Sequence, residues 1–320
     1  MPINNSYTQL QKLRARHLGE PITDQSVLLP DFDPSTTAQI NNGIYDWKQQ
    51  PRWATDIPFT AHHRKQRRTI IERLCEDAVG DPDAADIGLD MLKCSRTFPC
   101  GSPFCPFCRH KQQEQRAKKA LNKFAATAKD EMTFLTILHP VTYDPMHDAS
   151  THIRYIRDSV RNALNHRRYK QVRMLGAFEI DVKRSQDAKT PRSNQVLAAL
   201  NMDTTSRQPA YLVHLHTLVD LGGIPRKQVR RVFTRAFDKP YQVRLSHLRY
   251  DMDKDESIER IARYMFKFRA QFSDNLFGKE VELRAKYKEL YPAPLMREYV
   301  QLIHSLKTNN GFKGFRFEIK

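Results

Sequence analysis

Long apolar runs are missing from this 320-residue chain. Without about 18 consecutive apolar residues, an ordinary transmembrane helix is excluded, and no membrane partner is expected. The opening segment, Met1 to Leu13, has no basic patch followed by an apolar core, which argues against a secretory signal. Neither Gly-x-Gly-x-x-Gly nor Gly-x-x-x-x-Gly-Lys occurs, so ATP-driven chemistry has no visible anchor. Internal repeats and low-complexity segments are absent too. Cysteine is scarce, at five residues, and four of these fall between Cys94 and Cys108. In a chain without a signal, that clustering reads as a metal site in a reducing, cytoplasmic compartment and not as a disulfide framework.

Acidic residues are too few to balance the basic ones. There are 36 Asp+Glu against 53 Lys+Arg, a formal charge of +17. Such a surplus concentrates polyanions around a protein, and nucleic acid is the first candidate. Hydrophobic residues make up 40% and aromatics 10%, too much for wholesale disorder. The length suits one large or two modest domains.

The charge is unevenly spread. Residues 1–60 are rich in Pro and Asn, slightly acidic and poor in apolar periodicity, and read as a loosely structured N-terminal arm. Residues 61–130 hold a helix near 62–78, the cysteine cluster and a helix near 109–128. That second helix is strongly basic, with Arg109, Lys111, Arg116, Lys118 and Lys119 as candidate phosphate contacts. From 131 onward, strands and helices alternate. Met132–Leu138, Val172–Val182, Tyr211–Leu221 and Tyr241–Leu248 read as strands. Helical spacing marks Ile153, Ile156 and Val160, then Val229, Val232 and Phe233 with Arg230 and Arg231 on the basic side. A last helix opens at Ser257 and carries Ile258 through Phe272. Residues 184–209 look like a polar insertion. The expected class is α+β, with helices on a mainly antiparallel sheet.

Three patterns carry chemistry. The first is Cys94-x5-Cys100-x4-Cys105-Pro-Phe-Cys108. Zinc takes four thiolates in a tetrahedron, and a Cys-x-x-Cys turn brings two of them onto one ion. A cluster of buried thiols, or His110 replacing one cysteine, are the alternatives. Cys75 stands outside the pattern. The second is His214-Leu-His216 within a strand. Side chains at i and i+2 share a face, so two imidazoles can converge on one ion. Glu179 or Asp181, on the preceding strand, is the candidate third ligand. Glu179 is favoured because it lies further inside the strand. A buried carboxylate there is costly unless it is paired or metal-bound. Two histidines and a carboxylate suit Mg²⁺ or Mn²⁺ holding a phosphate oxygen. The third is Tyr264-Met-Phe-Lys267, which on a helix makes i, i+3 neighbours of a phenol and a cation.

In this order, the patterns resemble the HUH (His-hydrophobic-His) endonucleases, specifically rolling-circle plasmid and phage replication initiators. The resemblance spans about 94–270. It rests on Cys105-Pro-Phe-Cys108-Arg109, Phe134-Leu-Thr-Ile-Leu138, Gly176-Ala-Phe-Glu179, His214-Leu-His216 and Tyr264-Met-Phe-Lys267. It implies a five-stranded antiparallel sheet flanked by helices, with the endonuclease domain at 131–275, the zinc module before it and a helical extension and tail at 276–320. It also implies that Tyr264 attacks a phosphodiester in single-stranded or extruded origin DNA. The products are a 5′-phosphotyrosyl protein and a free 3′-OH primer. His214, His216 and Glu179 would hold the divalent ion, and Lys267 would orient the phosphate. Host helicase, polymerase and single-strand-binding protein are the implied partners. A transposase or relaxase of the same superfamily would share this chemistry. A non-catalytic zinc-containing nucleic-acid-binding protein would explain the charge and the cysteines alone.

Overall fold

The computed structural model describes residues 61–94, 99–187, 191–268, 270–272, 290–307 and 312–320. The arm expected at 1–60 lies outside them. The chain divides into two compact units. One holds the described residues through Lys111 together with Tyr291–His304; the other holds Gln112–Leu290 and Ser305–Lys320.

In the first unit, α1 (Ala61–Cys75) packs against α2 (Pro82–Leu92). The α2 start is set locally: Asp81 accepts a hydrogen bond from the Ala84 amide, and Pro82 occupies the first turn, where its missing N–H costs nothing. Apolar Ala84, Ala85, Leu89 and Met91 form its buried stripe. Helix α3 (Pro106–Lys123) begins directly after Cys105, and the boundary between the units falls within it. The expected 109–128 helix therefore starts and stops earlier. A helix from the other end of the chain, α8 (Ala293–Ser305), also belongs here for most of its length. Tyr299 stacks edge-on to Phe104 with ring centroids 5.6 Å apart, and Ser102 Oγ lies 3.2 Å from His304 Nε2.

The second unit is an α+β body built on a five-stranded sheet in the order β4-β1-β3-β2-β5, with every neighbouring pair antiparallel. The strands are β1 (Met132–Leu138), β2 (Arg173–Lys183), β3 (Ala210–Asp220), β4 (Val243–His247) and β5 (Arg316–Ile319). Central β3 is buried at all of its positions. The fifth strand is the basic C-terminal tail. It pairs with β2 from Ala177–Arg316 to Met174–Ile319, where Phe317 packs edge-on to Phe178. A tail expected as an extension thus completes the sheet.

Side-chain alternation sorts the two faces. Phe134, Thr136, Glu179, His214 and His216 share one. Helix α7 (Lys254–Met265) contacts β2 and β3 on that side. The insertion folds as α5 (Pro191–Ala199), whose Val196, with Leu200 beyond it, packs on Leu138 and Leu212 of the same face. Helices α4 (Pro145–Ala163) and α6 (Arg226–Ala236) contact each other on the opposite face, where the Arg157 guanidinium lies over Phe178.

Glycine is needed at one strand position. A Cβ on Gly176 would sit 2.3 Å from the His216 carbonyl oxygen and 2.6 Å from Thr217 Cβ. Gly176→Ala therefore forces β2 from β3 beneath the histidines. We expect a loss of about 1–3 kcal/mol in urea denaturation, with weaker divalent-ion binding. A wild-type midpoint would rule out the close approach.

Candidate metal centres and tyrosine site

The four clustered cysteines converge. Cys94 Sγ lies 3.6 Å from both Cys105 and Cys108, and Cys100 Sγ lies 3.7 Å from Cys108. A disulfide needs about 2.05 Å. A tetrahedron with metal–sulfur bonds of about 2.3 Å has edges near 3.8 Å, so the spacing suits one ion inside four thiolates. Amide N–H groups of Cys100 and Gly101 donate to Cys94 and Cys108 sulfurs. Gly101 has φ +69, a conformation favouring glycine. Cys108 sits in the first turn of α3, whose positive end favours a thiolate. Hydrogen bonds from the neighbouring thiols and the charge of Arg67 hold Cys105 well below the ordinary thiol range, against its burial. Among the described residues these four form the group, without His110. Cys75 is elsewhere, with its thiol pushed up to about 12 by burial and then by Asp86. It is a packing residue against Gly88, where a Cβ would meet its sulfur at 2.8 Å.

The second centre lies on the sheet. Glu179 stands directly across from His214, and Thr136 directly across from His216. Antiparallel register thus gathers three strands at one spot. The imidazole rings of His214 and His216 have centroids 4.5 Å apart. Glu179 Oε2 lies 3.4 Å from His216 Nε2 and 3.8 Å from His214 Nε2. All three residues are at most 5% exposed. Glu179 Oε1 and both Nε2 atoms are buried without a hydrogen-bond partner among the described residues, while Glu179 Oε2 meets the Lys267 ammonium at 3.2 Å; a bound cation would satisfy the unmatched atoms. Burial, then the neighbouring ring of His216, lowers His214 to about 3, leaving it neutral and able to donate a lone pair near neutral pH. Burial would raise Glu179, but the Lys267 ammonium and the histidines outweigh it and keep the carboxylate ionised. These donors fit a divalent ion.

Of the two candidate acids, Glu179 joins the histidines in the convergent group. Asp181 Oδ2 is 3.7 Å from His214 Nε2 but is held by the buried Lys183 at 3.1 Å. Sequence reasoning missed Thr136 and Lys183. Thr136 Oγ1 is 3.0 Å from His216 Nδ1. With Nδ1–H donating to that oxygen, Nε2 is turned toward Glu179 and free to act as a ligand. A threonine among the apolar residues of β1 was the available signal.

Tyr264 reaches the same spot. Its ring centroid is 5.3 Å from that of His216 and 6.2 Å from that of Phe134, and it is 40% exposed. Lys267 Nζ lies 3.6 Å from the Tyr264 ring centroid and 3.2 Å from Glu179 Oε2. Lys267 does so differently from the expectation. Asp253, not Ser257, caps α7, and the helix stops at Met265. Lys267 therefore lies beyond the helix, and no i, i+3 helical pairing exists. The Gln113 amide donates to the carbonyls of Arg263 and Phe266, satisfying that terminus, and Phe268 follows at φ +29.

The expected phosphate contacts divide. Lys111, Lys118, Arg230 and Arg231 are exposed, and Arg109 is partly buried. Lys119 pairs with Glu318 of the last strand. Arg116 is a correction. It is 7% exposed, its guanidinium lies 4.8 Å from the Phe266 ring centroid, and it packs the unit instead of meeting a ligand. No described helix is long and apolar enough to cross a membrane. No protein-family model, curated protein or solved structure matches the chain, so its chemistry has to be read from these two clusters and the tyrosine beside one of them.

Proposed function

We propose that this protein is an HUH-type DNA strand transferase, a rolling-circle replication initiator that nicks origin DNA through Tyr264. The observation that carries the reading is the meeting of Tyr264 and Lys267 with the Glu179–His214–His216 group on one sheet face. His-x-His on a central antiparallel strand, with a tyrosine delivered by a late helix, fits that superfamily. The four thiols, in this reading, hold structural zinc.

Glu179, His214 and His216 would hold Mg²⁺ or Mn²⁺, and that ion would supply Lewis-acid chemistry at the scissile phosphate. Tyr264 Oη attacks the phosphorus and gives its proton to solvent. A phosphorus–oxygen bond forms to the tyrosine as the bond to the 3′ oxygen breaks. The leaving oxygen takes up a proton and becomes the 3′-OH primer, while the 5′-phosphate stays on Tyr264. Lys267, within reach of both the ring and Glu179, orients the phosphate and offsets charge as it develops. Thr136 holds His216 in position.

The test uses the full chain, Mn²⁺ and a labelled pool of single-stranded and hairpin DNA. A covalent band on a denaturing gel is expected, and it should vanish in Tyr264→Phe. No band, or an undiminished one in that variant, refutes the nicking reading. DNA binding without any band would favour the non-catalytic nucleic-acid-binding protein.

A further inference from the structure

The sheet face away from the histidines carries a second charged feature. Lys227, Arg231 and Arg235 recur every four residues on α6, so they form one stripe. With Gln228 of the same helix, and Arg168 and Tyr169 of the short turn before β2, they line an open cleft of about 440 Å³. Among the described residues none of the four cations is in an ion pair, and α6 contains no acid. Like charges at this spacing destabilise a helix, so stability alone gives no reason for the arrangement.

Tyr169 adds an independent sign. It is 3% exposed, and its hydroxyl is buried with no hydrogen-bond partner among the described residues. A buried donor left unmatched is costly. The Arg168 guanidinium stacks 4.7 Å from its ring centroid, so the ring holds that cation at the cleft. A guanidinium held in this way suits a phosphate oxygen.

We propose that this cleft binds the phosphate backbone of double-stranded DNA, gripping a duplex on the face opposite the nicking site. The choice of DNA rests on the function proposed above. The stripe's length favours a polymer over a single anion. Eight residues of helix extend about 12 Å. Duplex DNA presents roughly seven phosphates over that distance, at one per ~1.7 Å of axis.

The test measures fluorescence anisotropy of a blunt hairpin duplex, without added divalent ion, across a salt series. The double variant Arg231→Ala/Arg235→Ala should lose at least about tenfold in affinity and lower the salt slope by about 2. The exposed Lys227→Gln should weaken binding severalfold with unchanged melting. Wild-type affinity and slope in the double variant overturn the proposal. So does displacement of the hairpin by micromolar pyrophosphate or ATP, which would make the cleft a site for free polyphosphate. The readout needs neither Tyr264 nor the divalent ion, so failure of the covalent-adduct assay leaves it intact.

Discussion

Replacing Cys105 with alanine should remove the bound metal and unfold the first unit. Cys105 is fully buried and its sulfur is one corner of the four-thiol group. Three thiolates left in a buried space repel one another once the ion is gone. The cluster also anchors the start of α3, because Cys105 immediately precedes Pro106 and Cys108 lies in its first turn. Structural zinc contributes on the order of 10 kcal/mol to small domains, more than most domains have in reserve. The expected results are about one zinc per chain in the wild type, well under half an equivalent in the variant, and poor solubility. Chelator treatment of the wild type should lower its melting temperature in parallel. A Cys105→Ala protein that retains a full equivalent of zinc and a normal melting curve would show that the cluster is a set of packed thiols. Cys75→Ala serves as the contrast. Its thiol is outside the group, so zinc should stay.

Glu179 and Lys267 should behave as opposites. Glu179→Gln keeps the side-chain volume but removes the carboxylate that both Nε2 atoms and Lys267 Nζ approach. Divalent-ion binding should fall sharply. Nicking should fall by at least ~10³-fold, the equivalent of several kcal/mol of Lewis-acid stabilisation. The fold should persist, since the released Lys267 head can turn to solvent. Lys267→Ala instead strands a buried carboxylate, which must take up a proton or remain unpaired. Loss of one partner of a buried pair costs about 3–5 kcal/mol. The metal-free Lys267→Ala protein should therefore melt well below the wild type, and added Mn²⁺ should restore much of the difference by replacing the missing positive charge. Calorimetry with and without Mn²⁺ decides this. Equal melting of Lys267→Ala and wild type, or no rescue by Mn²⁺, would falsify the shared-cation picture.

The class of the fold and most of the site residues were legible in the chain itself. Period-2 and period-3.6 patterns located β1 to β3 within one or two residues, because those strands are bounded by turn residues and buried on both faces. Cysteine spacing identified the four thiols, because a metal cluster assembled from one short segment is a local property. His214 and His216 were placed on one face by strand alternation alone. Local pattern failed where distant segments decide. The polar insertion at 184–209 gave no sign of covering the histidine face, because among its described residues the buried apolar contacts come from a few scattered positions, Val196, Leu197, Leu200 and Met202. Arg116 looked like its basic neighbours, and only the Phe266 ring beside it shows that it is a packing residue.

The amino-acid sequence by itself determined the α+β class, the four-cysteine group, the His-x-His pair, Tyr264 and the excess positive charge. These depend on residue type and on spacings of a few positions. Tertiary structure decided the rest. Antiparallel register, not proximity in sequence, set Glu179 across from His214 and left Asp181 to Lys183. Pairing of Arg316–Ile319 with β2 turned the tail into the fifth strand. The end of α7 at Met265, supported by Gln113, freed Lys267 to lie against Tyr264 and Glu179. Glu179 with His214, the tail with β2, and Gln113 with the end of α7 join residues tens to hundreds of positions apart, and such contacts are chosen by the packing of the whole unit, which no local window of sequence contains.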